Sequence, residues 1–104
     1  MTFNVEMQSR DGGTIRLALS GRLEAMGTQS FHSACRRLLS DVGRSDVVLD
    51  LRGLSYIDSG GIGALMVMHD QAQTEGRSLA LANCSGDVIK VLKLLNLHRV
   101  LNLV

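Results

Sequence analysis

Residues 47–63 read Val47-Val48-Leu49-Asp50-Leu51-Arg52-Gly53-Leu54-Ser55-Tyr56-Ile57-Asp58-Ser59-Gly60-Gly61-Ile62-Gly63, and the character of the chain changes within them. Val47 to Leu51 is a near-continuous β-branched and aliphatic run, the pattern of a strand covered on both faces. A loop is expected from there to Asp58-Ser59. A helix is expected from about Gly60 to Glu75, stopped by Gly76. A buried strand feeding a helix is the repeating unit of an α/β fold.

The same alternation extends to both sides. Upstream, Phe31, Ala34, Cys35, Leu38 and Val42 fall at i, i+3, i+4, i+7 and i+11, one stripe of a helix that starts at Gly27 or Thr28 and stops at Gly43. Arg36, Arg37 and Asp41 lie off that stripe and read as a solvated face. Before it, Phe3, Val5 and Met7 alternate with polar neighbours, as do Ile15, Leu17 and Leu19. Asp11-Gly12 between them marks a hairpin, and Gly21 is expected to end the second strand. Downstream, Leu79–Ala82 reads as a short strand. Ser85 or Asp87 caps a third helix with apolar positions Val88, Val91, Leu92 and Leu95, and Arg99–Val104 reads as a last strand. The order is β-β-α-β-α-β-α-β. It predicts one α/β domain over residues 1–104, with a mixed, mostly parallel sheet, an N-terminal hairpin and helices packed on it.

The totals narrow the function. The 104 residues suffice for one hydrophobic core. With 11 basic and 10 acidic residues the formal net charge is +1, which argues against nucleic acid or an anionic membrane surface as partner. There is no proline, and Phe3, Phe31 and Tyr56 are the only aromatics, so the core is aliphatic and stacking platforms for single strands are lacking. Cys35 and Cys84 form no metal-ligand spacing and read as buried thiols rather than a disulfide. His32, His69 and His98 are scattered and read as surface or partial core, with no metal site. Residues 1–6 lack the basic and apolar regions of a signal peptide. The apolar stretch from Ile62 to Met68 falls far short of the roughly 20 residues that span a bilayer. A cytoplasmic protein is expected.

Asp58-Ser59-Gly60-Gly61-Ile62-Gly63 allows several readings from pattern alone. Ser59 or Asp58 is an N-cap, with glycines for close packing. Alternatively the stretch cradles a phosphate. However, Met66 stands where GxGxxG needs its last glycine, no strand is expected directly before the turn, and no GxxxxGK[ST] occurs. Serine nucleophile chemistry lacks a GxSxG elbow and a paired histidine.

The segments 47–51 and 54–63 also resemble the signature of the STAS domain and, more narrowly, of bacterial anti-sigma factor antagonists. Gly21-Arg22-Leu23-Glu24 is similar to that family's turn before its first helix. Leu94-Leu95-Asn96-Leu97 with Val100 is similar to the stretch before its last strand. The resemblance implies a non-enzymatic module without cofactor. Unphosphorylated, it would bind an anti-sigma factor that is an ATP-dependent serine kinase, and so free a sigma factor. Phosphorylation of Ser59 would release the partner, and a serine phosphatase would reset the switch. The implied contact residues are Glu24, Asp58, Ser59, Gly60, Gly61, Ile62 and Met66. A STAS accessory subunit of a transporter or stressosome-like assembly, without the phosphoserine, is the alternative.

Two departures from the family pattern bear on this. Gly60 stands where the family often has Ser or Thr, and a looser loop is expected there. The chain ends at Val104, at its last strand, where many members continue into a helix; a monomer with some tendency to self-associate through uncovered apolar surface is expected.

Overall fold

Two strands, Asn4–Asp11 (β1) and Thr14–Leu23 (β2), form the antiparallel hairpin. Its loop is the pair Gly12-Gly13, one residue later than Asp11-Gly12. Their φ values of +56° and +89° suit the primed turns that match strand twist. The helix Thr28–Leu39 (α1) leads to β3 (Asp46–Ile57), then come α2 (Ser59–Thr74), β4 (Leu79–Ala82), α3 (Gly86–Leu94) and β5 (Asn102–Leu103). The computed structural model describes residues 3–39 and 45–104, so the expected stop at Gly43 and the apolar position Val42 lie outside the described residues. The sheet order is β1-β2-β3-β4-β5, with every pair after the hairpin parallel.

Each parallel strand is added on the same side of the last, so right-handed connections set the helices on one face. Ile15, Leu17, Leu19, Val47, Leu49, Leu79 and Leu81 point to that face by register. They share one core with Phe31 and Cys35 of α1, Leu65 and Met68 of α2, and Val88 and Leu92 of α3. Ala18, Asp50 and Ala82 stand in register on the opposite face, beside Val48 and Ala80, outside that core. The strand β3, expected to be covered on both faces, is therefore covered by helices on one.

Other expectations are corrected at strand ends. Gly21 does not end β2. It adopts φ +90° at a register shift, and the strand resumes to Leu23. No loop follows Leu51 either. After a second shift opposite Gly53, β3 runs on to Ile57 because the extended β2 offers partners for Leu54, Tyr56 and Ile57. Of Phe3, Val5 and Met7 only Val5 is buried. Phe3 packs edge-on against Phe31 with centroids 5.7 Å apart, and Met7 is exposed beside a bulge. At the C-terminal side Leu97–Arg99 forms a 3-10 turn, which shortens the last strand to Asn102–Leu103. Leu95 lies past the end of α3 and is exposed, like its neighbour Leu94.

Asp50 is the one buried charged residue in the described chain, at 5% exposure. Its carboxylate accepts from Asn83 Nδ2 at 2.9 Å, the Arg52 N–H at 3.0 Å and Arg16 Nη2 at 3.3 Å. Burial alone would raise its pKa, but these donors outweigh it and hold the group below its ordinary value. Removing the acceptor strands three donors, so Asp50→Ala is expected to cost about 2–4 kcal/mol in urea unfolding. The carboxylate's contribution is complete above the unfolded carboxylate range, near pH 4. It fades as the pH falls through the lower folded value. Asp50→Asn is expected to flatten that acid limb.

Candidate functional site

The end of β3 and the start of α2 are joined by Asp58, whose extended backbone (φ −110°) places it as the N-cap. Its Oδ1 accepts from the Gly61 N–H at 2.9 Å, which satisfies one of the free donors of the first turn. Its Oδ2 accepts from the Ala25 N–H at 3.2 Å. Its own N–H donates to the Leu23 carbonyl at 3.2 Å. One aspartate thus ties the helix to the chain that leaves β2. The Gly61 N–H, above all, holds this carboxyl below its ordinary pKa; burial opposes, and the Ala25 and Gly60 N–H groups assist.

The glycines after Ser59 have different reasons. A Cβ on Gly60 would lie 2.6 Å from Ala25 Cα. A Cβ on Gly61 would overlap the Leu23 carbonyl oxygen and lie 2.8 Å from Ile57 Cγ1. Gly63 faces open space. Gly60 is therefore inside α2 and pressed against the 3-10 turn Ala25–Gly27, and the looser loop expected there is replaced by a close contact.

The residues singled out by sequence come to one end of the sheet but play unequal parts. Ser59 is the first residue of α2 and is exposed. Asp58, Gly60 and Met66 are half-buried, while Gly61 and Ile62 are buried and offer no outward side chain. Glu24 is half-buried and paired with Arg22 Nε at 2.7 Å; Arg22 in turn lies 4.0 Å over the Tyr56 ring. Sequence reasoning passed over Met26, which is 96% exposed; it falls on no buried stripe, and that was the available signal. Val67, with Ile62 and Met66 in an apolar run from 62 to 68 too broad for one helical face to bury, is 44% exposed.

Asp58→Ala is expected to loosen both ends of this joint while leaving the sheet intact. Hydrogen exchange at the Gly61 and Ala25 amides should quicken together. Acceleration at Gly61 alone would mean that the bond to Ala25 holds nothing.

The chemistry open to this end is limited. A strand does directly precede the turn, contrary to expectation, yet the Gly61 amide of the first turn is taken by Asp58 rather than held open for a ligand. Ser55, a competing hydroxyl, donates to the Gly21 carbonyl at 3.0 Å. Among the described residues no group of three or more His, Cys, Asp or Glu is placed to hold a metal ion. A cleft of about 640 Å³ between α1 and α2 is lined by His32, Cys35, Met68 and Gln71 but does not reach Ser59. Cys35 is buried, and burial pushes its thiol up to about 12, which disfavours the thiolate that nucleophilic chemistry needs. No helix among the described residues is long and apolar enough to cross a membrane.

Residues 6–104 match the family described as "Mlab, STAS domain". A STAS-domain containing protein of Pseudomonas aeruginosa is 33% identical over 93 residues, which cover 89% of this chain and 90% of that one. Among solved structures, an anti-sigma factor antagonist from Mycobacterium paratuberculosis superposes with a TM-score of 0.83 at 16% identity, covering 98% of this chain and 85% of that chain. The Bacillus cell fate determinant SpoIIAA in its phosphorylated form superposes with a TM-score of 0.66 at 20% identity, covering 99% and 91%. At these identities the structural likenesses speak to fold.

Proposed function

The chain belongs to the STAS-domain family, and from that premise we propose that it is an anti-sigma factor antagonist switched by phosphorylation of Ser59. In this reading the unphosphorylated protein binds an anti-sigma factor that is also an ATP-dependent serine kinase. Transfer of phosphate to Ser59 ends the contact, a serine phosphatase restores it, and the domain itself catalyses nothing. It acts in a bacterial cytoplasm and as a monomer.

One observation carries the proposal. Ser59 is an exposed hydroxyl at the first position of a helix whose cap is fixed by the preceding residue. Such a serine is accessible to a kinase and is held in one place for a docking partner. Ser55 is spent on a backbone bond, and Ser85 stands at the N-cap position of a different helix, α3, without a side-chain cap bond. The family resemblance of the surrounding motif and the superposition on antagonist structures support the same reading. The contact face consists of Ser59 with Gly60, Gly63 and Met66. Asp58 and Gly61 act from beneath it, and Ile62 anchors the helix in the core.

Purifying the Ser59→Ala form from cells with its bound partner tests the reading. Recovery of a kinase with an ATP-binding fold is the expected result. Recovery of a membrane permease, with no phosphate on the wild-type chain, would instead make it a transporter's accessory subunit.

A further inference from the structure

Met26 is the most exposed large hydrophobic residue in the described chain, at 96%, yet it is not on a free loop. It is the middle of the 3-10 turn Ala25–Gly27, and the turn is held on both sides. The Gly27 N–H donates to the Glu24 carbonyl at 2.8 Å, and Thr28 Oγ1 donates to the Ala25 carbonyl at 3.0 Å. The Ala25 N–H is held by Asp58 Oδ2 at 3.2 Å, and Ala25 fills the space that a side chain on Gly60 would need. A thioether chain is thus presented to water by a clamped backbone, next to the residue that precedes Ser59.

From this frame we infer that Met26 is the anchor by which the anti-sigma factor kinase grips this protein, in an apolar pocket of the kinase that takes one aliphatic side chain of this size. The inference rests on the reading proposed for Ser59. Continuity with that face selects the occupant. The two oxygens of Asp58 bond to Gly61 of the Ser59 helix and to Ala25 of the Met26 turn, so both groups are set on one rigid unit. Ser59, Gly63 and Val67 recur every four residues on the outward side of α2. Gly63 leaves a notch between the other two, and Val67 is 44% exposed. A partner that covers Ser59 therefore meets Met26, the notch and Val67 in the same contact. A methionine suits such a role because its unbranched, polarisable chain adapts to the pocket it enters. Interface energy concentrates in a few central anchors of this kind.

The test measures, by calorimetry, binding of the purified kinase that phosphorylates Ser59 to four forms of the protein: wild type, Met26→Gln, Met26→Leu and Ser59→Asp. Met26→Gln keeps length and adds polarity, and it is expected to weaken binding by about tenfold to a hundredfold. Met26→Leu should stay within about threefold of wild type. Thermal unfolding should not change, since Met26 contributes nothing to the core. Binding of Met26→Gln at wild-type strength, with Ser59→Asp still impaired, overturns the anchor and leaves the switch standing. Equal loss in Met26→Leu and Met26→Gln also overturns it, since an apolar pocket would accept leucine. Full binding by Ser59→Asp would instead remove the reading of Ser59 on which the anchor rests.

Discussion

Gly61→Ala is expected to destabilise the protein by about 3 kcal/mol or more in urea unfolding, at the upper end of what overpacking costs. The added methyl would overlap the Leu23 carbonyl oxygen and crowd Ile57 Cγ1. A flexible side chain could step aside, but neither neighbour is free to do so. Leu23 is paired with Ile57 in the parallel β2–β3 ladder, and its carbonyl also accepts the Asp58 N–H. Relief requires the N-terminus of α2 to lift from the sheet, which would cost the burial of Ile62 and Leu65. Gly63→Ala provides the contrast. Its Cβ meets nothing within 4 Å, and alanine favours a helix interior, so a gain of about 0.5–1 kcal/mol is expected. Two glycines, two residues apart, should respond with opposite signs.

The second large effect concerns binding rather than folding. A phosphate on Ser59 adds about −1.5 to −2 charges beside Asp58. The helix N-terminus favours that charge by roughly 0.3–1 kcal/mol, and the neighbouring carboxylate, held ionised by the Gly61 N–H, opposes it. The opposed local terms leave the fold nearly unchanged. At an interface the balance differs, because the dianion must shed water against groups shaped for a neutral hydroxyl. Such mismatches cost a few kcal/mol, so binding to the kinase is expected to fall about a hundredfold. Ser59→Asp should reproduce much of this loss, and Ser59→Ala none of it. Melting temperatures of all three forms should agree closely.

Much of this arrangement could be read from the chain. Alternation in Ile15-Leu17-Leu19, the stripe through Phe31 and Cys35, and the run Val47–Leu51 each report a single periodicity, and each element formed where its period placed it. The misreadings occurred where period breaks but structure continues. Gly21 and Gly53 sit at register shifts, and a shift looks like a strand end when only one strand is in view. β3 runs to Ile57 because β2 runs to Leu23, a fact about pairing that neither segment states alone. Gly60 was misread for a related reason. Its lack of a side chain suggested freedom, whereas Ala25, 35 positions earlier in the sequence, occupies the space. Met26 was passed over because periodicity finds what is buried, and an exposed anchor has no period. Asp58 was legible as a cap but not as a tie, since the bond to Ala25 depends on the closed fold.

The most direct test of the switch is to incubate the purified protein with its kinase and ATP, locate the phosphate by mass spectrometry, and measure kinase binding before and after. One phosphate, on Ser59, with affinity reduced about a hundredfold and the fold intact is the predicted result. Phosphate on Ser55 or Ser85, or a Ser59-phosphorylated form that binds the kinase as tightly as before, would contradict it.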